Sequence, residues 1–503
     1  MASAGKRNSE FEKEEDEPVT AAAVVPPFDD ADYSIYSSAG KRILVFSSSF
    51  ASLLFPLSSY IYFPALNPIS QDLNVSDTLV NLSISSYIIL EGLAPTFSAQ
   101  ISDTCGRRPV YVVCLVIFLG ANIGLGIQNS YVALLVLRMV QSAGGCGAQS
   151  LGNAVAADVA PPAERGAYVS YAAGLPMLVT AIGPVVGGVM TRYAGWHSIF
   201  WLLAALSAAT LLSMALFFPE TCRKVVGNGS VPPQRWNWCW TNVWLERQKK
   251  GGTSDPRSES EEQEIEPPTF KLLNPLKPLL LLLKPECGYA LLYSSILACS
   301  FYAILALIPN QFGRIYAFNE LQVSLCYLPY GIGALVGALS RGYFIDANFR
   351  RHAAALGIVV AKNKKTDLTN FPIERARIEV AIPTIVLSTA CTVGFGWMLH
   401  AGVHVSGPLI VLFPFGFCAS ASLNCIQALM IDINPGQVGT VVASNSLLRC
   451  FLGAGATAAT VPLINGVGIG WAMTVFGGLN ALFMPMLWYI MRMGPEWRRK
   501  SKL

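Results

Sequence analysis

The chain has 503 residues, of which 53% are hydrophobic and 13% charged, with a mean hydropathy of +0.46. A soluble globular chain carries about 25% charged residues, so the composition excludes an ordinary cytosolic enzyme and a disordered chain, and points to a polytopic membrane protein. The 35 Lys+Arg against 31 Asp+Glu leave a net charge of +4, too little to argue for a nucleic-acid partner.

A membrane-crossing helix needs about 20 mostly apolar residues. Twelve such stretches are predicted, near 43–65, 77–100, 109–128, 130–157, 165–190, 195–218, 288–309, 320–345, 379–400, 406–431, 437–462 and 468–493. They are too long and too continuously apolar for barrel strands. The expected fold is an all-α polytopic membrane protein of two six-helix bundles, 41–218 and 288–495. Residues 1–40 hold Glu10, Glu12, Glu14, Glu15, Asp16 and Glu17 and are expected to form a disordered tail. Residues 219–287, with the acidic stretch Ser258–Glu266, read as an interdomain linker, and 496–503 as a second tail. The first 40 residues have no apolar core of a secretory signal.

Lys and Arg orient the spans. Lys41, Arg42, Arg107, Arg108, Arg165, Arg350, Arg351, Lys362, Lys364, Lys365 and Arg498–Lys500 all fall on one side, while the other offers little beyond Arg192 and Arg314. Both termini are therefore expected in the cytoplasm. Most of the twelve cysteines lie within or beside apolar spans without metal-ligand spacing, so neither disulfide, metal nor cofactor is expected.

The chain repeats a pattern. After span 2 it reads Ala99-x-x-x-Asp103-x-x-Gly106-Arg107-Arg108, and after span 8 Gly342-x-x-x-Asp346-x-x-Phe349-Arg350-Arg351. The acid and two arginines recur at the same place in each half. An Asp that ends a helix and arginines in the following turn can bond helix ends and acidic partners. At this point the chain resembles the major facilitator superfamily. Its loop Asp103–Arg108 is similar to the superfamily's signature between helices 2 and 3, with Ala99 and Thr104 as departures. Leu137-Arg138-Met139-Val140-Gln141-Ser142-Ala143-Gly144 resembles the helix-4 motif, and Gly174 through Gly183-Pro184-Val185-Val186-Gly187-Gly188 the helix-5 motif of proton-coupled antiporters. Trp196–Trp201, Pro219-Glu220-Thr221 and Asn445–Ala454 resemble the fungal twelve-span drug:proton antiporters, a group that includes organic-acid exporters. The resemblance covers roughly 41–495. It implies a proton-coupled antiporter that exports a drug, secondary metabolite or organic anion, as a monomer whose partners are substrate, protons and the bilayer.

A charged side chain at membrane depth costs at least about 2.5–3.5 kcal/mol, so such residues are functional candidates. Glu91, near the middle of span 2, can take and release a proton, or stand as a neutral hydrogen-bonded group where the fungal exporters usually carry Gln. Arg138 lies about 12 Å into span 4 and can bind an anion, tune a proton site, or hold a carboxylate in the bundle. Arg449 in span 11 follows Asn445 by one turn and can clamp an anion together with Arg138, or bond carbonyls. Asn424 and Gln427 share a face of span 10. Gly183, Pro184 and Gly187 allow close helix approach and bending, as hinge, seal or simple packing. Asp158 and Arg165 are expected to partner the Asp103/Arg107 loop. The last residues, Ser501-Lys502-Leu503, match a peroxisomal address, set against the plasma membrane as the principal expectation. Asn74-Val75-Ser76 is a glycosylation sequon close to the membrane. A sensor on the same scaffold and a membrane-embedded enzyme are the rival classes, the latter without an HExxH or GxSxG motif.

Overall fold

Long apolar runs can satisfy their backbone inside a bilayer only as helices. The structure is a computed structural model that describes residues 34–160, 165–227, 237–240, 281–355, 371–434 and 438–501. The N-terminal half holds α1 (Ser38–Tyr60), the short α2 (Leu66–Asp72), α3 (Asp77–Cys105), α4 (Arg107–Ile127), α5 (Tyr131–Val159), α6 (Arg165–Ala194), α7 (His197–Phe217) and the single turn α8 (Arg223–Val226). The C-terminal half holds α9 (Pro285–Tyr316), the short α10 (Glu320–Leu325), α11 (Leu328–Ala355), α12 (Ile373–His400), α13 (Ser406–Ile433), α14 (Val438–Val467), α15 (Ile469–Phe483) and α16 (Pro485–Ser501). Among the described residues there is no strand.

Local signals set many of these ends. The Ser37 hydroxyl accepts from the Gly40 amide at the start of α1, and Ser76 does the same for Leu79 at α3. Asn319 and Gln322 form a reciprocal capping box at α10. Pro64 helps to break the first passage, so span 1 is α1, a 3₁₀ turn at Phe63–Ala65, and α2. The last passage breaks at Met484 before Pro485, and α16 continues to Ser501, past residue 496 where a tail was expected.

Among the described residues, eleven candidate spans are long and apolar enough to cross a membrane. The long passage outside that set is α3. It has 29 residues, but Asn81, Ser83, Ser85, Ser86 and Glu91 make it more polar than its neighbours. It is nonetheless enclosed by the bundle, packed on α5 in its own half and on α14 in the other.

The halves repeat one packing scheme. In the first, α1 packs on α6, α3 on α5, α4 on α5 and α4 on α7; in the second, α9 packs on α14, α11 on α13, α12 on α13 and α12 on α15. The halves meet where α3 crosses α14 and α6 crosses α10 and α11. The first helix starts (Ser38) and the last helix ends (Ser501) at one face of the bundle, the terminal face; the other is the distal face. Toward the distal face a single apolar cluster joins both halves, with Ile61, Phe63 and Leu125 beside Phe312, Tyr327 and Phe395. Toward the terminal face the core divides, one cluster in each half, around Tyr111 and Leu151 and around Tyr293 and Ile426. The molecule is thus joined on the distal side and parted on the terminal side. Residues such as Val113, Val136, Leu212, Leu339, Ile410 and Leu482 expose apolar side chains on the outside, where lipid is their natural neighbour.

Candidate functional site

Where the halves part, a cavity of about 340 Å³ opens among α1, α3, α5, α6, α9 and α14, and an adjoining lobe of about 180 Å³ extends toward α11 and α13. Tyr60, Met177, Thr180, Phe301 and Arg449 line both lobes. Glu91 lines the first lobe, and its carboxylate faces the Arg449 guanidinium across the two halves at 3.7 Å. Tyr302 lines the same lobe, and the Cys146 thiol donates to the Glu91 carbonyl oxygen at 3.3 Å.

Small residues bring the helices close enough for this pair. A Cβ on Gly92 would stand 2.9 Å from Cys450 Cβ, so glycine lets α3 lie directly on α14. The Ser85 hydroxyl donates across the same seam to the Ala454 carbonyl at 3.0 Å. Gly453 leaves the space that the Tyr302 ring fills.

Asn424, Gln427, Asn445 and Arg449 all line the second lobe. Asn445 Oδ1 and Arg449 Nε are buried without a hydrogen-bond partner among the described residues. Unpaired buried polar atoms are costly, and these two stand beside the space a ligand would occupy. Aromatic rings line the same space: Tyr60, Phe63, Phe301 and Tyr302 in the first lobe, and Tyr60, Phe301 and Tyr330 in the second. The cavity can therefore offer apolar stacking surface, amide and hydroxyl groups, and one compensated pair of charges.

Arg138 does not join that lining, so the clamp of two arginines is not assembled in this conformation. Its side chain is 1% exposed, and its guanidinium lies 4.1 Å from the ring centres of both Tyr62 and Tyr87. It donates to the Ser58 carbonyl at 3.2 Å and to Gln141 Oε1 at 2.5 Å; Gln141 in turn donates to Asn122 at 2.7 Å. The hydroxyls of Tyr87 and Tyr62 pair with Ser58 and Ser83, each at 2.7 Å. Two ring faces and a polar chain take the place of a carboxylate around this charge, and they tie α1, α3, α4 and α5 together.

At the terminal face Arg107 donates from Nε to Asp158 at 2.9 Å and from Nη1 to Ser102 Oγ at 2.6 Å, and pairs with Asp103 at 2.6 Å. The side chain of Arg165, expected in this network, lies outside the described residues. The residue that sequence reading missed as a structural centre is Glu220. It is 2% exposed and accepts five hydrogen bonds, from the amides of Arg107, Arg108, Thr221 and Cys222 and from Asn237 Nδ2, at 2.8 to 3.2 Å. It thus caps the positive N-terminal end of α4. Gly106 precedes that helix at φ +103°, and a Cβ there would run into the Glu220 carboxylate. Arg108 donates to the Ala215 carbonyl at 2.6 Å and to Asn237 Oδ1 at 3.0 Å. The acid follows an apolar span in Pro219-Glu220-Thr221, but its partners on α4 are 112 and 113 residues away, which no local pattern reveals.

In the second half the register differs from the repeat read in the sequence. Helix α11 does not stop near Asp346 but runs on to Ala355, so Arg350 stays on that helix, exposed. The Asp346 side chain lies outside the described residues. The pair that repeats Arg107–Asp158 is Arg377–Asp432 at 2.9 Å, again from the start of one helix to the end of the next. On α6, Gly183 faces Tyr60 and Gly187 faces the Ile61 backbone, while Gly188 meets Ser324 and Glu320 of the other half. Pro184 sits within the helix; the surroundings of Gly174 lie outside the described residues.

Comparison with known proteins gives this arrangement its family. The model of the Major Facilitator Superfamily matches residues 48–458. The chain is 41% identical over 473 residues to the MFS-type transporter phiD of a fungal species, covering 94% of this chain and 71% of that protein. It is 41% identical over 469 residues to the MFS-type transporter tstD of Talaromyces stipitatus, covering 93% and 85%. It is 31% identical over 474 residues to Citrate exporter 1 of Aspergillus niger, covering 93% and 88%. Its fold is similar to that of the human organic anion transporter MFSD10 (TETRAN), with a TM-score of 0.52 at 18% identity over 89% of this chain and 98% of that one. The relatives are transporters, not enzymes, and the chain belongs to the Major Facilitator Superfamily as a multi-pass membrane transporter of the fungal type.

Proposed function

We propose that the protein is a proton-coupled exporter of a small molecule. It would act as a monomer in the plasma membrane with both termini in the cytoplasm. Its two halves would rock about the central cavity and open it alternately to each side. The observation that carries this reading is the Glu91–Arg449 pair, which lines the cavity and bridges the halves at 3.7 Å. A carboxylate at this depth is costly unless it is used. With both groups ionised, the pair is neutral and attracts the halves to each other; a proton on Glu91 removes the attraction and leaves Arg449 uncompensated. The Asp103–Gly106–Arg107–Arg108–Asp158 loop, with Asp346 and Arg350 in the other half, is assigned to conformational switching, and the α6 glycines to the seam that moves. Arg138 is assigned to holding the proton site's helices in register.

The cargo fits an amphipathic secondary metabolite, since aromatic and amide groups dominate the lining. The same pair favours a second reading, an organic anion. An acid on the cargo would take Arg449 from Glu91, the freed carboxyl would take a proton, and anion and proton would then travel in the same direction. The curated citrate exporter among the relatives supports keeping this reading.

The test is flux in proteoliposomes under an imposed pH gradient, with radiolabelled citrate and an amphipathic fluorescent dye as probes. Gradient-driven movement of either supports coupling, and its direction relative to the proton distinguishes exchange from cotransport. Glu91→Gln is expected to keep exchange at equal pH while gradient-driven accumulation falls at least tenfold. Accumulation unchanged in that variant would remove Glu91 as the proton site; no gradient-driven flux of any probe would remove the coupling itself.

A further inference from the structure

A second cavity, of about 470 Å³, lies away from the transport path in the C-terminal half, between α11 and α12 with α13 as its floor. Its wall is apolar: Phe344, Val380, Pro383, Phe417, Ala421 and Cys425. It is on the outer side of the half. Leu339 and Tyr343 on α11, next to the groove, are 71% and 73% exposed, and Phe344 itself is half-exposed. Along the membrane normal it occupies the terminal-face half of the bundle, because Arg351 is one turn from the end of α11 and Val380 two turns from the start of α12.

The mouth of the groove is charged. Arg351 lines it with a side chain 76% exposed, and its contact with Glu379 is long, at 4.0 Å. An exposed pair at that distance is worth little, so the guanidinium can turn to another anion. Glu379 is engaged more closely by His352 at 2.7 Å. Asn348 holds the rim by donating to the Ala376 carbonyl at 2.8 Å. The arrangement is an apolar slot between helices that ends, toward the terminal face, in the exposed Arg351 guanidinium.

We infer that this groove is a specific site for one anionic phospholipid of the leaflet at the terminal face, with an acyl chain between α11 and α12 and its phosphate on Arg351. A zwitterionic lipid offers the same chain, but its own ammonium competes for the phosphate and it carries no net charge to answer the Arg351 guanidinium. A guanidinium matches phosphate geometry with paired donors, which lysine would not. Pro383, inside α12, belongs to the groove wall, so lipid in the slot would bear on a helix that packs directly on α13 and hence on the second lobe of the cavity.

The experiment is native mass spectrometry of the full chain released from nanodiscs of phosphatidylcholine containing phosphatidylserine, phosphatidylglycerol or neither, with inorganic phosphate as a separate arm. One retained anionic lipid per chain is expected, with at least a fivefold preference over phosphatidylcholine. Arg351→Gln is expected to erase the preference while a lipid is still retained; Ala347→Trp, which fills the slot from an exposed position on α11, is expected to lose the lipid with Arg351 intact. Both variants keep the central cavity, so a normal dye or citrate flux in phosphatidylcholine vesicles reports that they are folded. Equal retention of neutral and anionic lipid in the natural chain, a preference that survives Arg351→Gln, or free phosphate that replaces the lipid would each overturn the proposal.

Discussion

At the scale of single residues the membrane charges are held by different means, and the means separates structure from chemistry. Arg138 is held by two tyrosine faces and a chain of amides, away from the cavity. Arg449 is held by an acid of the other half, in contact with the cavity and with an unpaired Nε. The second arrangement can change partners during a cycle; the first would have to dismantle four helices to do so. Glu220 shows how far a structural charge can matter. It answers the α4 N-terminus through the amides of Arg107 and Arg108, and at the same time accepts from the amides of Thr221 and Cys222 and from the Asn237 side chain. Glu220→Ala leaves those donors buried and unanswered, and is expected to cost about 2–4 kcal/mol. Thermal unfolding in detergent should show a clear fall in Tm, with Gly106→Ala failing in the same direction because its φ of +103° suits only glycine. A Tm within a degree of the natural chain for Glu220→Ala would mean that water replaces the carboxylate at no cost.

At the scale of elements, the spans were legible because a bilayer demands long, unbroken apolar runs, and helices meet that demand in only one way. The exception is instructive. Helix α3 carries Asn81, Ser83, Ser85, Ser86 and Glu91 where it packs inside the bundle, so the feature that marks it as functional also weakens its membrane signal. The repeat was legible as letters but not as geometry. Asp346 and Arg350 keep the spacing of Asp103 and Arg107, yet α11 continues through them, and Arg377–Asp432 takes the structural role. Spacing records descent within the chain; the helix end that decides what an arginine can reach depends on packing that spacing does not carry. The glycines of α6 were legible as close-approach positions, but their partners were not. Gly188 lies against Ser324 and Glu320 of the opposite half, so it belongs to the seam between the bundles. Gly188→Leu forces those halves apart, and overpacking of this kind costs about 1–3 kcal/mol. Spin labels at Asn74→Cys and Asn319→Cys, both exposed at the distal face, are expected to show a new, longer distance. A distribution identical to the natural one would show that α10 yields locally and that Gly188 does not gate the seam.

At the scale of the whole molecule, the balance between open and closed faces depends on what the distal face gives up when it parts. Among the described residues two ion pairs cross it: Arg314–Asp77 at 2.8 Å, with Asn310 on the same carboxylate, and Arg192–Glu320 at 3.6 Å. Both arginines are more than half exposed, at 59% and 52%. Pairs of that kind are worth about 0.2–1 kcal/mol each. The apolar contacts behind them are larger. Phe63 stacks on Tyr327 with ring centres 5.8 Å apart, within a cluster that joins both halves, and each buried ring exposed to water costs about 1.5–3 kcal/mol. The closure is therefore mainly a hydrophobic contact that the ion pairs adjust. This ranking can be measured with the same label pair. Removing both ion pairs, as Arg192→Gln with Arg314→Gln, is expected to shift the open-to-closed ratio by about twofold to thirtyfold, which is 0.4–2 kcal/mol. Phe63→Ala alone is expected to shift it further, and high salt should reproduce part of the arginine effect but none of the phenylalanine effect. If the double arginine variant opened the distal face more than Phe63→Ala did, the gate would be electrostatic, and Asp77 and Glu320 rather than the aromatic seam would set the resting state of the carrier.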